Sequence, residues 1–130
     1  MRVHFIIHDY FEAPGAYEYW ARKNNYDVTF TRLYEGDKLP DSIGGIDFLI
    51  VMGGPQNPET TTAQCPYFDS KKEQAFIADA INSNKVVIGV CLGAQLIGEA
   101  LGAPYTQSPE KEFGKFTIHM TNAGKRSRLF

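Results

Sequence analysis

Val86-Val87-Ile88-Gly89-Val90-Cys91-Leu92-Gly93-Ala94-Gln95-Leu96-Ile97-Gly98 changes character halfway along. Its first five residues are rich in Val and Ile, the pattern of a buried strand. The second half has the spacing of a helix, with Leu92, Leu96 and Ile97 facing inward. Cys91 stands at the junction, with Gly89 and Gly93 two positions away on either side. A nucleophile between such glycines marks a strand-turn-helix elbow. The turn is sharp, and its close neighbours must be small. The sulfur then projects beyond the sheet edge.

The helix start adds an electrostatic effect. Its first backbone N–H groups lack intrahelical partners, and the positive end of the helix dipole lies beside the sulfur. Both favour thiolate, the reactive form of cysteine. The bland alternative is a buried Cys that ends a strand and packs as a small hydrophobe. The flanking glycines argue against it.

The chain has 130 residues, which points to a single domain over residues 1–130 with a sizeable core. A 43% apolar and 22% charged composition is ordinary for a globular protein. The net charge of −2 gives no case for a nucleic-acid partner or an acidic membrane surface. The basic cluster Gly124-Lys125-Arg126-Ser127-Arg128 reads as a solvated loop. Cys65 and Cys91 do not form a disulfide framework, and no Cys/His cluster has metal-ligand spacing. No metal or cofactor is expected. No run has membrane-spanning length, no signal peptide is evident, and a reducing, cytoplasmic setting is expected.

Along the chain, Val3–His8 reads as a strand and Pro14 opens a helix to about Asn24. Tyr17, Trp20 and Ala21 share one face of that helix. Asp27–Leu33 and Ile46–Met52 read as the second and third strands. Gly53-Gly54-Pro55 ends the third strand and leads into a long polar loop. Ser70-x-x-Glu73 reads as a capping box opening a helix to about Asn82, with Phe76, Ile77, Ala80 and Ile81 inside. After the elbow helix, closed by Gly102 and Pro104, Phe113–Met120 reads as a strand and Asn122-Ala123-Gly124 as a turn. Apolar strands alternating with helices imply an α/β fold: a mostly parallel sheet with helices on both faces. Functional residues of such sheets gather at strand C-termini, where Gly53-Gly54 and Cys91 both fall.

A thiolate attacking a carbonyl needs donors for the developing oxyanion, a base and substrate contacts. The N–H groups of Leu92 and Gly54 are the candidate donors. Gly53 and Gly54 let a substrate approach the main chain closely. Pro55 has no N–H and cannot serve.

With these residues in view, the chain resembles a class I glutamine amidotransferase domain, similar to the glutaminase part of GMP synthase. Val51-Met52-Gly53-Gly54-Pro55 resembles the family's oxyanion loop, and Gly89-Val90-Cys91-Leu92-Gly93-Ala94-Gln95 its nucleophile elbow. Glu112-Phe113-Gly114 resembles a Glu-x-Gly that follows the elbow helix. The resemblance implies a flavodoxin-like fold and hydrolysis of the glutamine side-chain amide. Cys91 would form a γ-glutamyl thioester, Gly54 and Leu92 would hold the oxyanion, and Gln95 and Gly53 would contact glutamine. The ammonia would go to a synthetase or other acceptor partner.

The family completes its triad with a His-x-Glu, and none of His4, His8 or His119 is followed two residues later by Glu. His8 and His119 therefore read as packed or surface strand residues. The expectation is that the 130 residues are the N-terminal part of a longer domain, incomplete at the C-terminus. Alone, they would be largely inactive and prone to associate through exposed apolar surface. Two other readings stay open. One is a cysteine enzyme similar to the DJ-1/PfpI group, with Glu12 or Glu18 as the acid near Cys91. The other is an inactive partner-binding domain.

Overall fold

The computed structural model describes residues 1–111 and 114–128. Four parallel strands form one sheet: β1 (Arg2–Ile7), β2 (Asp27–Arg32), β3 (Phe48–Val51) and β4 (Val86–Gly89). Their order, β2-β1-β3-β4, matches the first four positions of the flavodoxin-like order 2-1-3-4-5. Three longer helices, α1 (Ala16–Lys23), α2 (Ser70–Asn82) and α3 (Leu92–Ala100), alternate with the strands, and a short α4 (Asn122–Lys125) follows.

Strand alternation divides the core in two. Ile6, Leu49 and Val51 pack with Phe76, Ile77 and Ala80 of α2 and with Leu92 and Leu96 of α3. Val3, Phe5, Ile7, Phe48, Ile50 and Met52 point the other way, toward Ala21 of α1. Helices thus cover both faces, as the apolar strands require. The expected Tyr17-Trp20-Ala21 face buries only Ala21 fully. Trp20 remains 39% exposed while its ring edge meets Phe48 and Tyr26.

The three longer helices end alike. Asn25, Asn84 and Gly102 take left-handed backbone, with φ of 56°, 54° and 85°. In each case the next residue's N–H reaches back five positions: Tyr26 to Ala21, Lys85 to Ala80 and Ala103 to Gly98. This is the Schellman closure, which satisfies helix-end carbonyls and turns the chain abruptly. At Asn25 and Asn84 it delivers the chain into β2 and β4.

Several expectations need correction. α1 starts at Ala16, not Pro14, because Gly15 has φ +54°, which a helix cannot contain. Ser70 is not the N-cap of α2. Asp69 is, accepting a hydrogen bond from the Lys72 N–H, while Ser70 Oγ donates to the Pro58 carbonyl at 2.7 Å. β4 is an edge strand whose residues are half-exposed or exposed, not a buried one, because among the described residues it pairs only with β3. The expected strand at Phe113–Met120 is irregular over the described residues 114–120. Phe116 and Ile118 are 64% and 91% exposed there, with no strand beside them among the described residues. The expected turn at Asn122 is α4, opened by Thr121, whose side chain accepts from the Gly124 N–H. Glu112 and Phe113 lie outside the described residues.

Candidate active site

Cys91 is the N-cap of α3, exposed, with φ +51° and ψ −108°. A non-glycine residue there is strained, and the surrounding packing must enforce the conformation. The two glycines show how. A Cβ on Gly89 would lie 2.4 Å from the Gly93 carbonyl carbon, and one on Gly93 would lie 2.1 Å from the Val51 carbonyl oxygen. β4, the first turn of α3 and the end of β3 are therefore in backbone contact, and no side chain fits at either position. The Val90 N–H donates to the Val51 carbonyl at 2.9 Å, fastening the elbow to β3.

The Gly53-Gly54 turn lies beside the elbow. A Cβ on Gly53 would be 3.5 Å from Cys91 Cβ, and one on Gly54 would be 3.0 Å from Leu92 Cδ2. The turn after β3 and the turn after β4 thus share one corner of the sheet, as their strand-end positions predict. Among the described residues neither the Gly54 N–H nor the Leu92 N–H donates to a protein acceptor. Gln95 is exposed one helical turn after Cys91, and its N–H donates to the Cys91 carbonyl. The five candidate residues Gly53, Gly54, Cys91, Leu92 and Gln95 are accordingly brought together.

Two features go beyond the motifs: one that no sequence signal indicates, and one that the sequence offered only for the rival cysteine-enzyme reading. The first lies beneath the glycine turn. His8, fully buried just after β1, bonds to the Gly53 carbonyl through Nδ1 at 3.0 Å and to Glu73 Oε1 through Nε2 at 2.8 Å. The Gly53 carbonyl can only accept, so Nδ1 carries a proton, and the Glu73 carboxyl shares a second proton with Nε2. Burial by itself would lower the His8 pKa. The Glu73 hydrogen bond and charge, with the Gly53 and Met52 carbonyls, outweigh it and raise the pKa above its ordinary value. Glu73, read as half of a capping box, is instead 1% exposed and held inward by this pair. No spacing rule connects residues 65 positions apart.

The second is Glu12. Its Oε2 lies 2.7 Å from the point where a Gly53 Cβ would sit, a point that is also 3.5 Å from Cys91 Cβ. Glu12 therefore stands at the same corner, whereas Glu18 pairs with Arg22 on the outer face of α1.

His4 faces away from this edge. It is held between the Thr29 and Thr31 hydroxyls, and burial together with Arg2 lowers its pKa to about 4. His119 is exposed on the irregular segment. Among the described residues no side chain hydrogen-bonds to Cys91 Sγ, no group of three His, Cys, Asp or Glu could hold a metal ion, and no helix is long and apolar enough to cross a membrane. A cavity of about 700 Å³ between the 36–41 loop and residues 62–73 backs onto Glu73 but is lined by neither Cys91 nor Gly53.

The model of the class I glutamine amidotransferase family matches residues 17–130. The chain belongs to that family. It is 52% identical over 129 residues to the glutamine amidotransferase-like protein YfeJ of Salmonella typhimurium, covering 99% of this chain and 54% of that protein. One subunit of the glutamine-hydrolyzing GMP synthase of Methanococcus vannielii is 30% identical over 90 residues, covering 69% of this chain and 39% of its own length. The crystal structure of SMU.1228c superposes with a TM-score of 0.93 at 50% identity, over 98% of this chain and 55% of that one. The chain thus spans about half the length of YfeJ and SMU.1228c, and less of the synthase subunit.

Proposed function

We propose that this chain carries the nucleophile and oxyanion half of a glutaminase site. Cys91 Sγ attacks the side-chain amide carbon of glutamine, the oxyanion rests against the Gly54 and Leu92 N–H groups, and ammonia leaves with the proton that the amine requires. Water then cleaves the γ-glutamyl thioester to give glutamate and the free thiol. Two preorganised donors each contribute about 3–4 kcal/mol in comparable sites. Gln95, exposed one helical turn after Cys91, and Gly53 contact the substrate. A single observation carries the reading: the exposed, strained Cys91 and the glycine turn meet at one sheet corner.

The base belongs elsewhere. His8 has both ring nitrogens engaged and is sealed from the thiol's surroundings, so it is not that base. We propose that the acid-base pair comes from sequence this chain does not carry, and that the ammonia serves a synthetase partner, as the name of the GMP synthase relative suggests. The expected result is alkylation of Cys91 by a glutamine-like electrophile, with little glutamine turnover by the 130 residues alone. Robust turnover that disappears in Cys91→Ala would show that this chain supplies its own base. Failure of the electrophile to react would remove the glutaminase reading.

A further inference from the structure

We propose that the buried His8–Glu73 pair is a positioning device for the oxyanion donor: it grips the Gly53 carbonyl and thereby aims the Gly54 N–H at the space over Cys91. The inference rests on the glutaminase reading of that corner.

The link is one peptide bond. The Gly53 carbonyl and the Gly54 N–H are opposite ends of the same trans, planar unit. Fixing the direction of one fixes the other. Between two glycines no Cβ opposes a flip of this unit, and Pro55 narrows only the Gly54 side of it. His8 Nδ1 holds the carbonyl at 3.0 Å, and Glu73 holds the ring from behind at 2.8 Å. Phe68, fully buried, sets its ring edge against the imidazole with centroids 5.7 Å apart. His8 Cβ also closes the space beside Gly54, lying 2.8 Å from where a Cβ would be.

Stability is a weak reason for the pair. Burying two charges costs desolvation, and well-packed apolar replacements of such pairs are often neutral or stabilising. An apolar pair could fill this volume. It could not hold a carbonyl.

The test compares this chain with two double variants. His8→Leu with Glu73→Leu removes both polar groups together. His8→Asn with Glu73→Leu returns an amide donor near the Nδ1 position. Two reagents report on Cys91, read by mass spectrometry. The first is a glutamine analogue with a chloromethyl ketone in place of the amide. Thiolate attack puts negative charge on its carbonyl oxygen before the C–S bond forms at the methylene and chloride leaves. The second is iodoacetamide, whose displacement of iodide needs no oxyanion donor.

The double-leucine chain should lose about 10- to 100-fold in limiting ketone rate with little change in half-saturation. Its iodoacetamide rate should stay within about twofold, and the asparagine should recover most of the ketone rate. Equal ketone rates, equal slowing with both reagents, or no recovery by asparagine would each overturn the proposal. Iodoacetamide reactivity without any ketone reaction in the parent chain would overturn the glutaminase reading instead. A crystal structure of the double-leucine variant then decides the positioning role: a reoriented Gly53–Gly54 peptide supports it, an unchanged one refutes it. If that variant does not fold, His8→Gln replaces it. Its amide nitrogen takes the Nε2 position, keeps the contact with Glu73 and leaves the Gly53 carbonyl without a donor, so the same outcomes apply.

Discussion

The two glycine turns share a corner but are held in place by different physics. The Gly53-Gly54 turn follows β3, a strand buried at all four positions, and a charged pair from two other elements braces it. The Gly89-Cys91-Gly93 turn follows β4, an edge strand, and backbone packed on backbone braces it. A hydrogen-bonded brace can be weakened by degrees and responds to protons. A steric brace admits no intermediate setting. One site can therefore contain a part that tunes and a part that either forms or does not.

The harshest break of this contrast is Gly93→Ala. Its methyl would overlap the Val51 carbonyl, which is main chain and cannot rotate away. We expect a loss of about 4 kcal/mol or more, or failure to fold, by urea denaturation. A folded Gly93→Ala chain of normal stability would mean that the elbow is not sterically locked. Glu73→Ala strikes the other turn. It leaves the His8 imidazolium buried without its counter-charge, at an expected cost of about 3–5 kcal/mol, whereas His8→Leu with Glu73→Leu should come close to the parent. If the single and double variants are equally unstable, the brace is ordinary packing.

Protons should then separate the two turns. The His8 pKa is raised in the fold, so the native chain retains a proton that the unfolded chain releases. Its contribution is full below about pH 6.5 and is lost as pH rises through the raised value. The stability gap between the parent and the double-leucine chain should change with pH in that sense. His4 acts on the acid side. With its folded pKa lowered to about 4, the unfolded chain takes up a proton first as pH falls below the ordinary 6.5. Stability should drop by roughly 3 kcal/mol between those values, a limb that His4→Gln removes. The smallest effect is at the elbow. Cys91→Gly relieves the positive φ and should stabilise the chain by about 1 kcal/mol. A destabilised variant would show that the sulfur itself packs there.

How far the sequence reveals all this depends on the range of the interaction. The strands and longer helices were legible because periodicity and turn residues act over a few positions. So were Cys91 and the glycines, whose spacing states a steric rule. Ser70-x-x-Glu73 misled because Asp69, one residue earlier, caps as well as serine does, which leaves Glu73 free for a histidine 65 positions away. Phe116, Ile118 and Met120 alternate as a strand would, but alternation describes a face and not a partner. Without a neighbouring strand among the described residues they remain irregular and exposed. Glu12 had no motif to announce it, and only the chain's return after β1 brings it to Gly53.

Among the described residues β4 is paired on one side only. The strand that leads into the Cys91 turn thus also has an open edge. An extended segment laid along that edge would add to the sheet beside the Cys91 turn.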